Sequence, residues 1–549
     1  MRITRSFMMM LLSLALVACG GGGGDIPVLP SAPAIPAVPA IPASGVPVVT
    51  PASTILNLVV GTPMTSYQPI TGSGGSAPYS YSYTGLLPMG LTYNVSTGLM
   101  TGTPSATYAT NNMVFSVKDA LNVAAATSVT VAVTVTPPWV GTKQLGAPAA
   151  IIRQNGSATD ANGNVYVAGD VNAGLDGNAL TGGTDFFLTK YDSIGTKRYT
   201  KQLGAAYVGL NKSTTIANAI AIDSSDNVYV SGYTDAGLDG NVVAGGQDFF
   251  LTKYDATGLK VYTKQLGIAA ANTVGTGVAT DVLGNVYVAG YTTGNLDGNV
   301  LTGTQDFFLT KYDSSGLKVY TKQLGVTAAS TSATAVATDG NGNVYVSGNT
   351  TGGLDGNVAI GTQDFFLSKF DAAGAKVYTK QLGAAAASTS ARSVATDVLG
   401  NVHVVGDTNG ALDGNLLTGA NDCFTTTYNA IGAKLYTKQL GVAAAISHGN
   451  DVSTDAAGSV YITGDTTGGL DGNVLTGAQD YFVTKYDLNG LKIYTRMGVN
   501  GSSLGKAIAI NAAGEIYIAG QSSVGVDGNV LIGLIDFFLV KFSSAGVKQ

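Results

Sequence analysis

The stretch DVLGNVYVAGYTTGNLDGNVLTGTQDFFLTKYDSSGLKVYTKQLG, Asp281 to Gly325, recurs in seven versions between about residue 155 and Gln549. The aspartate of its central Asp-Gly-Asn falls at Asp176, Asp239, Asp297, Asp355, Asp413, Asp471 and Asp527, spaced 58 residues apart in the middle copies. Sixteen residues before each stands the start of an Asp-x-x-Gly-Asn-like turn, with Asn511 replacing Asp in the last copy, and nine residues after each stands a further aspartate. Insertions therefore fall only between copies. Self-similarity at a fixed period marks an architecture whose single unit cannot bury its apolar faces alone and must stack on its neighbours.

Each unit reads as four short strands. The first is small and alternating (AIAID, residues 219–223), the second is NVYVAG, and an Asp-x-x-Gly turn separates them. In such a turn Asp bonds its own backbone and Gly takes positive φ. The longer loop GNLDGNVLTG leads to DFFLTKYD, and a second Asp-x-x-Gly turn, Asp313 to Gly316, leads to LKVYTKQLG. Val, Tyr, Phe, Thr and Leu alternating with period two suit a pleated surface, and no stretch shows sustained helical spacing. Four antiparallel strands per repeat predict a propeller blade.

The two ends of the array predict closure. The last copy stops at FFLVKFSSAGVKQ without a full fourth strand, while WVGTKQLG, Trp139 to Gly146, stands ahead of the first copy as an orphan fourth strand. Pairing the orphan with the last copy's third strand completes seven blades and satisfies both sheet edges. The first strands, rich in Ala, Ser and Thr, then line the central channel, and Tyr and Phe fill the widening space between blades. The expected fold is all-β: a seven-bladed β-propeller of four-stranded blades over residues 138–549.

Residues 1–18 carry Arg2 and Arg5 and then the apolar run FMMMLLSLALVA. A charged n-region with a hydrophobic segment too short to remain as a membrane span predicts a signal peptide. Leu16-Val17-Ala18-Cys19 resembles the bacterial lipobox, which implies cleavage before Cys19 and lipidation of its thiol. The remaining cysteine, Cys423, takes a Phe slot and reads as a small buried apolar residue. Residues 19–51 form a linker in which Gly20 to Gly24 precede prolines 27, 30, 33, 36, 39 and 42. Proline at every third residue matches polyproline II, so this segment is expected to be an extended stalk.

Residues 52–137 change to Thr, Ser, Val, Tyr and Gly with runs such as SVTVAVTVTP, enough for one small immunoglobulin-like β-sandwich. The piece GLLPMGLTYNVSTGLMTGTP, Gly85 to Pro104, resembles the signature of the He_PIG immunoglobulin-like, cadherin-like domains of bacterial surface proteins. That resemblance implies a spacer or adhesion module. The 58-residue units are similar to the bacterial SBBP β-propeller repeat, D-x-x-G-N-x-Y-x-x-G followed by D-x-F-x-x-K-Y-D-x-x-G, over about 400 residues. The resemblance implies a surface or secreted setting. Four positions depart from it: His403 for Tyr, Cys423 for Phe, Thr427 for Lys and Asn511 for Asp.

Composition argues against catalysis. The chain has two histidines, His403 and His448, one glutamate, Glu515, and one tryptophan, Trp139. A general acid and base must differ from their equivalents, whereas repetition gives every blade the same carboxylates. His403 takes a core Tyr slot and His448 is expected in an interblade loop of the sixth copy. No zinc spacing, nucleophile elbow or Walker loop is present. The net charge of −6, or −8 once Arg2 and Arg5 are removed, disfavours nucleic acid. The repeated polar feature is the Asp-Gly-Asn loop, which makes Asp176, Asp239, Asp297, Asp355, Asp413, Asp471 and Asp527 the candidate binding residues. With the second aspartate, as in Asp297 and Asp306, each loop offers hard oxygen ligands to Ca²⁺, while an Asp-Gly turn accounts for the same pattern by structure alone. The reading is a monomeric, non-enzymatic, lipid-anchored protein of the cell envelope and surface, at the outer membrane if the source is Gram-negative. It presents its propeller to a surface protein or glycan. The rivals are a secreted propeller enzyme, a lyase or glycan hydrolase with blade five as the place to look, and a purely structural envelope component.

Overall fold

The computed structural model describes residues 45–206, 212–498 and 501–549 and is all-β apart from single 3-10 turns. The leader 1–18, Cys19 and the linker through residue 44 lie outside the described residues. The chain divides into two compact units, residues 1–135 and 136–549.

The described part of the first unit is built of short strands in three antiparallel pairings. A four-stranded sheet runs in the order Ile55–Val59, Val129–Thr136, Tyr108–Lys118, Ser80–Thr84, and two-stranded pairs join Val48–Pro51 to Ile70–Ser73 and Leu91–Asn94 to Leu99–Gly102. Alternation in MVFSVK and VTVAVT sends Met113, Phe115, Val117, Val131 and Val133 inward onto Ile70 and Met100. The signature residues shape its tight corner. Gly90 and Gly102 have φ of 89° and 129°, and a Cβ on Gly90 would lie 2.0 Å from the Thr103 carbonyl oxygen.

The second unit contains seven four-stranded antiparallel sheets among its described residues, consistent with a propeller. Sheet three is representative, with strands Thr273–Thr280, Val286–Thr292, Asp306–Tyr312 and Lys318–Leu324. Its two middle strands are apolar on both faces because each face meets a neighbouring sheet. Val286, Val288 and Phe308 pack on Tyr229, Phe249 and Leu251 of sheet two, while Tyr287, Phe307 and Leu309 pack on Val344, Val346 and Phe366 of sheet four. Consecutive sheets are keyed by stacked Phe pairs such as Phe249 with Phe308 at 5.1 Å and Phe307 with Phe366 at 4.9 Å. Phe187 of sheet one stacks in the same way on Phe537 of sheet seven at 5.5 Å. Each fully buried Phe contributes about 1.5–3 kcal/mol.

Sheet seven takes strands Ser503–Ile510, Ile516–Ser522 and Asp536–Phe542 and adds Lys143–Leu145, which pairs Phe537 with Leu145 and Leu539 with Lys143. The paired stretch is shorter than the expected Trp139 to Gly146, for a visible reason. Trp139 folds back so that its indole N–H donates to the Gly141 carbonyl at 2.8 Å and its ring meets Tyr517. Lys143 lies over this ring as Lys201 lies over Tyr199 in sheet one, so the indole fills the place of a repeat tyrosine. The outer edge is continued from the other direction by a bridge between Phe542 and Lys548.

The first strands differ from the expectation in length. They run over eight residues rather than five, and each carries one extra residue, a β-bulge, that interrupts the alternation and hides the first half of the strand. The extra residue is Asn155, Asn218, Thr276, Thr334, Arg392, Asn450 or Lys506 in sheets one to seven.

Candidate functional site

The Asp-Gly-Asn loops are occupied by their own chemistry. In each, the aspartate sits at φ of 50–57° and the next glycine near 80°, the left-handed pair that a tight turn between strands two and three requires. The carboxylates of Asp176, Asp239, Asp297, Asp355, Asp413, Asp471 and Asp527 accept from the ammonium groups of Lys197, Lys260, Lys318, Lys376, Lys434, Lys492 and Lys548. For Asp297, burial pushes the carboxyl up, and the hydrogen bonds from Lys318 and Thr321 outweigh it and hold the pKa below the usual value. The Asn side chain, Asn299 for example, donates to the Leu296 and Thr321 carbonyls and pins the loop to the outer strand.

The second aspartate faces inward. Asp306 accepts from the backbone N–H groups of Thr302 and Gly303 at 2.8 and 2.9 Å and from the Gln323 amide at 3.1 Å, and it is fully buried. It therefore organises the loop rather than joining Asp297 in a shared pocket. Gly325 closes the arrangement, since a Cβ there would lie 1.7 Å from Asp306 Oδ1. Among the described residues no group of three or more His, Cys, Asp or Glu is placed to hold a metal ion.

The singular residues are placed as follows. His403 is buried in the second strand of sheet five and bonds Thr427 and Asp397, and Cys423 is buried in the third strand opposite Asp407, its thiol pushed up by burial. His448 is not in an interblade loop. It lies in the first strand of sheet six, Ser447–Thr454, opposite Asp465, with Nδ1 at 3.0 Å from Asp465 Oδ2. The SHGN sequence lacks apolar alternation because the bulge falls at its Asn450.

One cavity of about 270 Å³ is lined by the first strands of all seven sheets, and a further 280 Å³ at its mouth is lined by Asn155, Thr334, Arg392, Asn450 and Lys506. All five are bulge residues. A bulge re-aims its side chain out of the sheet, so the seven bulges turn one polar residue per sheet toward this cavity. Four of these residues tie their sheet to the next: Asn155 donates to the Ala217 carbonyl, Asn218 to Gly275, Thr276 to Ala333 and Asn450 to Gly505, all within 2.8–2.9 Å. Between sheets four and five Asn349 makes the equivalent link to Ala391 at 3.3 Å. Arg392 and Lys506 make no such link among the described residues.

A ring of buried carboxylates backs the mouth, and its oxygens are engaged. Asp170 accepts from Arg153 and Asn155, Asp407 from Arg392 and Asn421, and Asp465 from His448, Asn450 and Gln479. Burial raises the Asp170 carboxyl above its ordinary range, against the pull of Arg153. At Asp465 burial acts the same way, but His448, the Lys506 charge and Asn450 reverse it, and the carboxyl is held low. Deeper in the wall, Asp451 stands where other sheets have Gly, Ala or Ser. Its carboxylate accepts from Ser393 Oγ at 2.6 Å and from the Ile508 N–H at 2.8 Å, and burial pushes it up to about 6.

These groups differ from sheet to sheet, so the expectation that every blade carries the same set fails at the mouth. The informative signal in the sequence is the column of bulge residues, Asn, Asn, Thr, Thr, Arg, Asn, Lys, set within otherwise repetitive strands.

Residues 198–239, 261–297, 319–355, 377–412 and 435–471 match the family model of the SBBP beta-propeller repeat, and residues 46–136 match that of the He_PIG Ig domain. The regulatory protein FlaEY of Caulobacter vibrioides is 31% identical over 235 residues, 38% of this chain and 24% of that protein, so the chain spans about a quarter of that relative's length. Among solved structures, rhamnogalacturonan lyase YesW is similar at 12% identity, with 88% of this chain and 90% of that one covered and a TM-score of 0.34. The Bacillus licheniformis rhamnogalacturonan lyase PL11 is similar at 13% identity, covering 91% of this chain and 92% of its own, with a TM-score of 0.33. The family matches show a chain of SBBP β-propeller repeats preceded by a He_PIG Ig-like domain.

Proposed function

We propose that the chain is a non-enzymatic, lipid-anchored cell-surface protein that presents its propeller for binding a surface protein or glycan. Cys19 carries the lipid and the Gly/Pro segment acts as the stalk. The seven sheets are the blades of one closed ring, a reading supported by the Phe187–Phe537 stack, the Thr159 hydroxyl on the Ile510 carbonyl and the parallel bridge from Ile151 to Ile535. No helix among the described residues is long and apolar enough to cross a membrane, and the lipid supplies attachment in this reading.

The observation that carries the binding role is a contrast along the hairpin of strands one and two, between its Asp-x-x-Gly turn and the bulge in strand one. At the Asp-x-x-Gly end nearly every copy repeats the same Asp and Tyr bond, as in Asp281 with Tyr287, whereas at the bulge end charge and size change from sheet to sheet. Identical positions serve stacking, and unlike positions around one mouth serve recognition. The test is cell fractionation with Cys19→Ser and capture of surface extract by the full chain. Release of the variant into the soluble fraction and retention of surface material support the reading. Membrane retention of Cys19→Ser, or turnover of a polysaccharide by the purified chain, overturns the anchoring or the non-enzymatic part respectively.

A further inference from the structure

The bulge position has a structural task at four interfaces, where an amide or hydroxyl donor ties its sheet to the next, and at a fifth Asn349 takes over that task. Sheets five and seven give that position to long cations instead, so the residues there are not explained by holding the ring together. Arg392 spends its Nε on Asp407, which leaves the ends of an exposed guanidinium toward the mouth it lines. Lys506 makes no ion pair within 4 Å among the described residues, although three carboxylates lie in the neighbouring ring and each is taken by other donors. Asp465 acts on this half-buried ammonium only through space, and such a charge with no partner at ion-pair distance is costly unless something supplies a closer counter-ion. Burial depresses the Lys506 ammonium, Asp465 opposes the shift and the Arg392 charge adds to it, so the two cations act on each other across the cavity. The titratable groups that face this region are Asp407 and Asp465 behind the mouth, His448 on Asp465 and Asp451 in the wall beneath, all hydrogen-bonded as described above.

Between the cations the lining is neutral and polar. The amide protons of Asn155 and Asn450 are committed to neighbouring sheets, leaving their carbonyl oxygens as acceptors, and Thr334 adds a hydroxyl. A volume of 280 Å³ is below the range of roughly 300–1,000 Å³ typical of drug-sized ligands and suits a single hydroxylated ring. We propose that the mouth of the axial cavity binds a sugar acid, one pyranose-sized ring whose carboxylate sits between Lys506 and Arg392 and whose hydroxyls meet Asn155, Asn450 and Thr334. This rests on the binding role proposed above and names the glycan chemistry it takes.

The test is calorimetric titration of the purified full chain at low salt with glucuronate, with glucose as the neutral ring and with inorganic phosphate as the bare anion. Glucuronate is expected to saturate one site, glucose to give no heat and phosphate to bind more weakly than glucuronate. Lys506→Asn supplies the residue type that bridges sheets six and seven, so it should keep or raise the melting temperature while weakening glucuronate by about tenfold or more. Arg392→Asn should act alike, and Lys118→Gln in the first unit should change nothing. Equal binding of glucose, phosphate binding as tight as glucuronate, or full affinity in a folded Lys506→Asn chain overturns the proposal. A chain that stays membrane-bound and captures surface material yet ignores glucuronate overturns this inference alone. Glucuronate binding by a chain that never reaches the membrane overturns the anchoring alone.

Discussion

The His403 ring and the Thr427 hydroxyl stand directly opposite each other on adjacent strands of sheet five, Nδ1 to Oγ1 at 2.8 Å. The six other sheets place Tyr opposite Lys at this pair, with the ammonium over the ring in each. In five of them the tyrosine hydroxyl donates to the turn aspartate; in sheet five the other ring nitrogen of His403 lies 3.4 Å from Asp397 instead. Two departures from the repeat pattern are therefore one compensated exchange. Thr427→Lys alone should place an ammonium against a buried imidazole and cost about 1–3 kcal/mol, and His403→Tyr added to it should recover most of that loss. Denaturant unfolding of the four corners of the cycle measures the coupling; additive effects would refute it.

Asp451 makes stability depend on pH. Burial raises its folded-state pKa to about 6, above an unfolded value near 4, so the folded chain holds the proton more tightly. Stability is then greatest below about pH 4 for this group and falls as pH rises to about 6, by roughly 3 kcal/mol, with no further change above. Asp451→Asn should flatten that fall. Melting temperatures of both chains between pH 4 and 7 decide it, and parallel curves would show that the carboxyl is not responsible.

Gly325 leaves no room for a methyl group. Gly325→Ala must displace the Asp306 carboxylate from the Thr302 and Gly303 amides, and a loss of about 2–4 kcal/mol is expected from overpacking plus unsatisfied donors. Gly298→Ala, in open space but at φ of 79°, should cost only about 1 kcal/mol. Reversal of this order in chemical denaturation would contradict the geometry.

Ca²⁺ should find no set of seven equivalent sites. A metal at Asp297 would have to displace Lys318, and Asp306 would have to give up three donors. Titration calorimetry with Ca²⁺ should show no saturable heat, and the melting temperature should not move on adding a chelator. Lys318→Met should also be mild, about 0–1 kcal/mol, as for an exposed ion pair.

Most of the fold is legible because the repeat copies the same physical constraints. Asp-x-x-Gly turns, the Phe pair of DFF and the Lys-Gln-Leu-Gly end each solve one packing problem in every sheet, so their period announces the architecture. The bulge is not legible, since an extra residue in TVGTGVAT breaks the alternation that marks a strand, and for the same reason His448 reads as loop. The mouth is hidden for the opposite reason to the fold. Repetition reveals what is shared, and Arg392, Asn450 and Lys506 matter through what they do not share. The seven aspartates of the Asp-Gly-Asn loops attract notice by recurring, and their recurrence follows from turn geometry and the lysine opposite.

Asp527 receives Thr142 from one side and Lys548 from the other, residues that are 385 and 21 positions away. At a synthesis rate of about 5–20 residues per second, the segment around Thr142 waits roughly 20–80 s on the ribosome before its partner strand exists. During that interval its edge and the first sheet's flank are open to any other strand, while the intervening sheets form in sequence on their predecessors. Secretion through a narrow pore in the unfolded state would remove that exposure by deferring all seven sheets to one compartment. A chain interrupted anywhere before Asp536–Phe542 leaves the Lys143–Leu145 strand without its mate, so sheet seven is the sheet whose completion depends on both flanks of the repeat array.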